Sequence, residues 1–155
     1  MSTSIPGFLV EREPSILICR APGNERIPAP SRATDGAGGY DLYSAITLTI
    51  SPKQKALIPI GWRMAIPPGW VGLIRDRSSC ANKRDLSVRA GVIDADYRGE
   101  VHVLLRNEGP VSQTIATGER IAQVVIVRHL SEAMLEVNEL PPTQRGGGGF
   151  GSTGS

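Results

Sequence analysis

The strongest constraint on the fold lies between Ala90 and Val103. Two β-branched, apolar arms flank the string Asp94-Ala95-Asp96-Tyr97-Arg98-Gly99, the pattern of a strand, a tight turn and a returning strand. A chain built around such a hairpin is expected to be antiparallel β. A turn needs one Asp or Asn and a glycine. A second carboxylate and an aromatic residue exceed that need and mark the hairpin tip as a candidate site, whereas an isolated pair of aspartates would be read as turn residues.

The remainder repeats the theme. Ser15 to Arg20 suits a first strand, 21–38 is a long surface connection, and Thr47 to Ile50 alternates with period two before a turn at Ser51-Pro52. Ala56 to Ile60 and Trp70 to Ile74 read as strands separated by the Pro67-Pro68-Gly69 turn. Leu86 to Ile93 and Glu100 to Arg106 are the hairpin arms, and Asn107-Glu108-Gly109-Pro110 is a further turn. Ile121 to Val127 is so continuously apolar that burial on both faces is expected. Only Ser79 to Lys83 suggests a helix, with a serine as N-cap. With 18 glycines, 12 prolines and 5% aromatics, the class is all-β, a jelly-roll-like (β-clip) barrel with one short helix.

One domain accounts for 155 residues. Residues 1–14 read as a flexible leader, 15–142 as the barrel, and 143–155 as a mobile glycine-rich C-terminal arm. A formal net charge of +2 argues against a nucleic-acid surface. No apolar run reaches the ~20 residues of a membrane span, and no signal peptide precedes residue 15, so an intracellular, cytoplasmic protein is expected. Cys19 and Cys80 are too few and too isolated for a disulfide framework or a zinc site; Cys19 is expected in the core. His102 and His129 read as strand-surface residues.

The string Gly91-Val92-Ile93-Asp94-x-Asp96-Tyr97-Arg98-Gly99 resembles the third motif of the homotrimeric dUTP pyrophosphatases (dUTPases). That family's other motifs are matched in order by Gly39-Tyr40-Asp41-Leu42-Tyr43-Ser44-Ala45, Arg77-Ser78-Ser79, Gly118-Glu119-Arg120-Ile121-Ala122-Gln123 and Arg145 to Gly154. One such string would be weak; five collinear ones are specific. The resemblance implies hydrolysis of dUTP to dUMP and pyrophosphate, limiting uracil incorporation into DNA and supplying dUMP for dTMP synthesis, in a homotrimer with shared active sites.

It further implies a role for each matched residue. Asp94 is the base that activates water against the α-phosphorus. Tyr97 packs on the deoxyribose and excludes a 2′-hydroxyl, and main-chain groups of Gly91, Val92 and Ile93 read uracil. Asp41 meets Mg2+ through water. Arg77, Ser78 and Ser79 bind phosphates, and Gln123 contacts substrate. From the arm, Phe150 stacks over uracil, Arg145 meets the γ-phosphate, and Gly151, Ser152 and Thr153 close over the triphosphate. Three positions depart from the family pattern: Asp76, Cys80 and Arg89, where a small residue is more usual. Two alternatives stand beside this reading. A dCTP deaminase of the same fold would need a glutamate where Leu104 stands, and a nucleotide-responsive regulatory protein would keep the fold but act through other surfaces.

Overall fold

The computed structural model describes residues 15–149. It is a jelly-roll-like assembly of antiparallel strands. One four-stranded sheet has the order β1 (Leu17–Arg20), β4 (Lys55–Ala65), β8 (Glu100–Asn107), β6 (Leu86–Val88). A second has the order β2 (Gly39–Tyr43), β10 (Arg120–Arg128), β5 (Trp70–Arg75), β7 (Val92–Ile93). β3 (Leu48–Ile50) pairs with β9 (Gln113–Ile115).

Period-two patterning sets which faces meet. In β8, Val101, Val103, Leu105 and Asn107 are buried while Glu100, His102, Leu104 and Arg106 face outward, and β4 adds Ile58, Ile60, Trp62 and Met64 to the same core. Leu42, Ile93, Ile121 and Val124 approach it from the second sheet. Each fully buried Leu, Ile or Val contributes about 1.5–3 kcal/mol relative to exposure. Among the described residues the one buried amide is satisfied: Asn107 donates to the carbonyls of Ile50 (2.9 Å) and Val111 (2.7 Å) and accepts from the Gly109 N–H.

The structure corrects four sequence expectations. Cys19 is exposed, because β1 is an edge strand with one neighbour, and Cys80 is the buried thiol. The helix α1 spans Ser78–Arg84, one residue longer at each end than expected, and its N-cap is Arg77, with no side-chain capping bond, in place of a serine. In β10, Ile121, Ala122 and Val124 are buried, but Val125, Ile126 and Val127 are only half-buried. Val124 and Ile126 line an apolar groove with Ile16, Ile18, Tyr40 and Met64, so the core side of the strand's C-terminal half is only partly covered by its own chain. The fourth correction concerns the hairpin itself, whose ascending arm does not stay in one sheet.

Among the described residues no helix is long and apolar enough to cross a membrane.

Candidate functional site

β6 runs alongside β8, with Val88 opposite Leu105, and the next N–H, of Arg89, still donates to the Leu104 carbonyl at 2.8 Å. Ala90 and Gly91 then adopt positive φ, 60° and 112°, and the chain changes sheets. The Gly91 carbonyl accepts from the Ile74 N–H at 2.8 Å, and Val92 and Ile93 pair with Leu73 and Gly72 of β5. Gly91 is required twice over, by its φ and because a Cβ there would lie 2.8 Å from Ile74 Cβ.

After Ile93 the chain turns, with the Tyr97 N–H donating to the Asp94 carbonyl at 3.1 Å. The Arg98 guanidinium closes the tip on the carbonyls of Ala95 and Tyr97. Tyr97 donates its hydroxyl to the Glu100 carbonyl at 2.8 Å. Its ring fills the space beside Gly99, where a Cβ would stand 2.4 Å from Tyr97 Oη. The glycine of the turn is thus also the seat of the tyrosine ring.

These residues border a cleft of about 340 Å³ lined by Gly91, Val92, Ile93, Asp94 and Tyr97, with Leu57, Ile74, Arg89, His102 and Leu104 completing it. β7 is the edge of its sheet, so one side of its main chain is left for a ligand to pair with. The Asp94 side chain is exposed and has no hydrogen bond or ion pair among the described residues, which leaves both oxygens for water.

A second cleft, about 380 Å³, is lined by Arg77, Ser79, Cys80, Lys83, Arg84, Glu119 and Arg120. Arg84 fixes α1 in place: it donates to Gln113 Oε1 (3.0 Å) and the Thr114 carbonyl (2.6 Å) and pairs with Glu119, which also accepts from the Ala116 N–H. Arg77 and Arg120 converge on Asp41, at 2.8 and 3.3 Å. Arg77, Lys83 and Arg120 make this cleft strongly cationic, the character that phosphate oxygens require. Cys80 takes no part in that charge. Burial pushes its thiol above the ordinary range against the opposing pull of Arg77 and Arg84, so it stays a protonated packing residue, with Sγ donating to the Arg120 carbonyl.

Two departures noted in the sequence acquire structural accounts. Asp76 is not among the residues lining the cationic cleft; its Oδ1 accepts the Val88 N–H at 2.5 Å, and its carbonyl accepts from Gln123 Nε2 at 2.8 Å. Gln123 lies so close to Gly39 that a Cβ there would meet its Oε1 at 2.3 Å, and its amide is engaged with Asp76, not with either cleft. Arg89 pairs with Glu108, whose carboxyl is held below its ordinary range by Arg89 first and then by Ser87.

The two clefts share no lining residue and lie toward opposite ends of β5. Ile93 is level with Gly72, so Asp94 falls toward the Val71 end, whereas Arg77 follows the Arg75 end. Four strand residues already span roughly 13 Å. Arg145 borders neither cleft; its Nε donates to the Gly148 carbonyl at 2.7 Å in an exposed turn. Phe150, Gly151, Ser152 and Thr153, like the leader 1–14, lie outside the described residues. Sequence reasoning missed Lys83, Arg84, Arg120, His102 and Leu57 as cleft residues. Arg120 stands inside a quoted motif, the one signal that pointed to it.

The donor set also bears on a metal. Among the described residues no group of three or more His, Cys, Asp or Glu gathers, and both Asp41 oxygens already accept from guanidinium groups. Such a site fits a magnesium ion held chiefly by a ligand's phosphates and its own waters, with Asp41 as an outer contact, and does not fit a protein-built cage.

A family model described as dUTPase matches residues 25–154. The deoxyuridine 5′-triphosphate nucleotidohydrolase of Mus musculus is 45% identical over 131 residues, which cover 84% of this chain and 81% of that one. The structure of the Staphylococcus bacteriophage 80alpha dUTPase with dUPNHPP superposes with a TM-score of 0.84 at 30% identity, covering 91% of this chain and 99% of that one. A variant dUTPase from phage phi11 of S. aureus, described with a coordinated structural Mg(II) ion, gives a TM-score of 0.77 at 25% identity over 83% of this chain and all of that one.

Proposed function

Because the chain belongs to the dUTPase family and its activity is accordingly dUTP hydrolysis, we propose that Asp94 carries the chemistry in a site assembled from more than one copy of the chain. Asp94 takes a proton from a water whose oxygen bonds to the α-phosphorus. The bond from that phosphorus to the bridging oxygen breaks, and pyrophosphate departs from dUMP. Tyr97 supports the deoxyribose, and the free edge of β7 pairs with uracil. Arg77, Ser78, Ser79 and their cationic neighbours hold the β- and γ-phosphates, which bear the charge that must be neutralised. Asp41 would hold magnesium through water, and the ion would supply shielding of that charge. Gln123 contributes by holding the Asp76 carbonyl, one residue before Arg77. The arm residues Arg145, Phe150, Gly151, Ser152 and Thr153 close over the substrate.

One observation carries the assembly: the base and the phosphate cleft stand too far apart along β5 for one triphosphate to meet both in a single chain. The half-buried end of β10, Val125 to Val127, and the segment after it agree. Leu130, Met134, Leu135 and Leu140 are all more than four-fifths exposed, a run of apolar surface that a second copy would cover. A homotrimer satisfies these requirements by joining the hairpin of one subunit, the cationic cleft of a second and the arm of a third. The reading places the enzyme inside the cell, in the cytoplasm, with no nucleic-acid or membrane partner.

Pyrophosphate release measured with dUTP, dCTP, dTTP and UTP tests the function. Strong preference for dUTP is expected; ammonia release from dCTP would point to deamination, for which Leu104, an apolar residue in the cleft, offers no proton carrier. Tyr97→Ala should lower the ratio of kcat/KM for dUTP over UTP by tenfold or more, on the order of 1.4 kcal/mol of lost discrimination. Equal losses for both substrates would reduce Tyr97 to packing.

A further inference from the structure

The cationic cleft has two walls on separate parts of the chain. One is α1 with its N-cap, carrying Arg77, Ser79 and Lys83; the other is the start of β10, carrying Arg120. Near the first turn of the helix two ties join them. Arg77 and Arg120 meet on Asp41, and the Cys80 thiol, a weak donor, reaches the Arg120 carbonyl at 3.6 Å. The helix then runs on to Arg84, about 9 Å of rise beyond Ser78, so its far end needs a tie of its own.

Arg84 and Glu119 supply it. All three guanidinium nitrogens of Arg84 are engaged: Nε with Gln113 Oε1 at 3.0 Å, Nη2 with the Thr114 carbonyl at 2.6 Å, and Nη1 with Glu119. Glu119 is held as completely. Its second carboxylate oxygen accepts the Ala116 N–H at 2.9 Å, its own N–H donates to the Ala116 carbonyl at 3.1 Å, and its carbonyl accepts the Ser44 N–H at 2.8 Å. The side chains of the pair are 23% and 32% exposed, better shielded than the open surface pairs that contribute little. This knot joins the end of α1 to the residue before Arg120 and to Ser44, just past the strand that carries Asp41. Lys83, next to Arg84, has no hydrogen bond or ion pair among the described residues. Its ammonium group is left for a ligand, whereas the charge of Arg84 is engaged within the protein.

We propose that Arg84 and Glu119 are positioning residues: they set the spacing of the two walls, and with it the hold of the cleft on the β- and γ-phosphates, without contacting the ligand. This inference rests on the dUTPase reading of the cleft. Phosphates held between Lys83 on one wall and Arg120 on the other require one separation. A helix released at its C-terminal end displaces Lys83 more than Arg77, which Asp41 still holds. A triphosphate uses both walls, whereas dUMP, with the α-phosphate alone, does not.

Glu119→Gln tests the pair with the smallest change in shape. Glu119 accepts on both carboxylate oxygens; glutamine offers one oxygen and one amino group, so either Arg84 or the Ala116 N–H is left facing a donor. Arg84→Met keeps an unbranched stem and removes the donors, and Arg84→Lys keeps the charge. The readouts are dissociation constants for a non-hydrolysable dUTP analogue and for dUMP, and kcat and KM for dUTP and UTP. Glu119→Gln and Arg84→Met should each weaken the analogue and raise KM for dUTP about tenfold, with a smaller change in kcat and with the double variant no worse than the singles. Affinity for dUMP and the dUTP:UTP ratio of kcat/KM should stay within about twofold of wild type. Arg84→Lys should recover part of the loss. A direct phosphate contact by Arg84 predicts the opposite sign for Glu119→Gln, since that change would release the guanidinium to the ligand. Unchanged or tighter binding of the analogue by Glu119→Gln therefore overturns the proposal. So do equal losses for the analogue and dUMP, which would make the pair a support of the fold and nothing more. A wild-type protein that fails to hydrolyse dUTP takes down the underlying reading as well, whereas an active wild type with unmoved variants removes the positioning role alone.

Discussion

Asp94→Asn is expected to abolish measurable turnover of dUTP, by at least the ~10²–10⁴-fold that a positioned general base supplies, while nucleotide still binds. The amide keeps the shape of the side chain but cannot accept the proton of the attacking water. Asp94 is exposed, with no hydrogen bond or ion pair among the described residues, so the substitution breaks no stabilising contact and the fold should persist. Steady-state pyrophosphate release and equilibrium binding of a non-hydrolysable dUTP analogue measure the two halves separately. Near-normal hydrolysis, with wild-type contamination excluded, would remove Asp94 from the base role.

The second large effect concerns residues 143–155. Among those described, 143–149 bury nothing in the core, so deleting the segment should leave the melting temperature and oligomeric state nearly unchanged. Activity should nevertheless fall by orders of magnitude, because the proposed closure of the arm over the triphosphate, with the exclusion of water it would bring, is lost. Mixing the truncated chain with Asp94→Asn under conditions of subunit exchange should then restore part of the activity. Some mixed trimers would combine an intact Asp94 from one chain with an intact arm from another. No recovery, with exchange confirmed by mass spectrometry, would place arm and hairpin in the same subunit and end the shared-site reading.

Much of this was legible because alternation and turn chemistry are local. Glu100 to Asn107 alternates in sequence as it does in burial, and the Pro67-Pro68-Gly69 and Asn107 to Pro110 breaks fall where strands end. The motif strings placed Asp94, Tyr97, Arg77 and Ser79 in clefts. What stayed hidden depends on partners that no local pattern names. Leu86 to Ile93 reads as one strand, since hydrophobicity does not say which sheet receives each half, and Ala90 gives no glycine signal for its positive φ. Ile121 to Val127 reads as doubly buried because half-buried apolar positions such as Val125, Ile126 and Val127 look the same in sequence as fully buried ones. Cys19 has the same ambiguity on an edge strand. Asp76 and Arg89 looked like anomalies because their partners, Val88 and Glu108, are set by tertiary placement.

The crossing of the chain from β6 to β7 also bears on how the protein acquires its activity. Arg89 is hydrogen-bonded into one sheet and Gly91 into the other, two residues apart. A nascent chain that has formed only the first sheet leaves Asp94 at the end of an unanchored loop, and one that has formed only the second leaves the wall of the cleft unbuilt. The cleft around Asp94 is therefore complete only once long-range pairing on both sides has formed. Partly folded forms of the chain lack this cleft, and under the proposed shared site competence waits further on assembly of the folded chains.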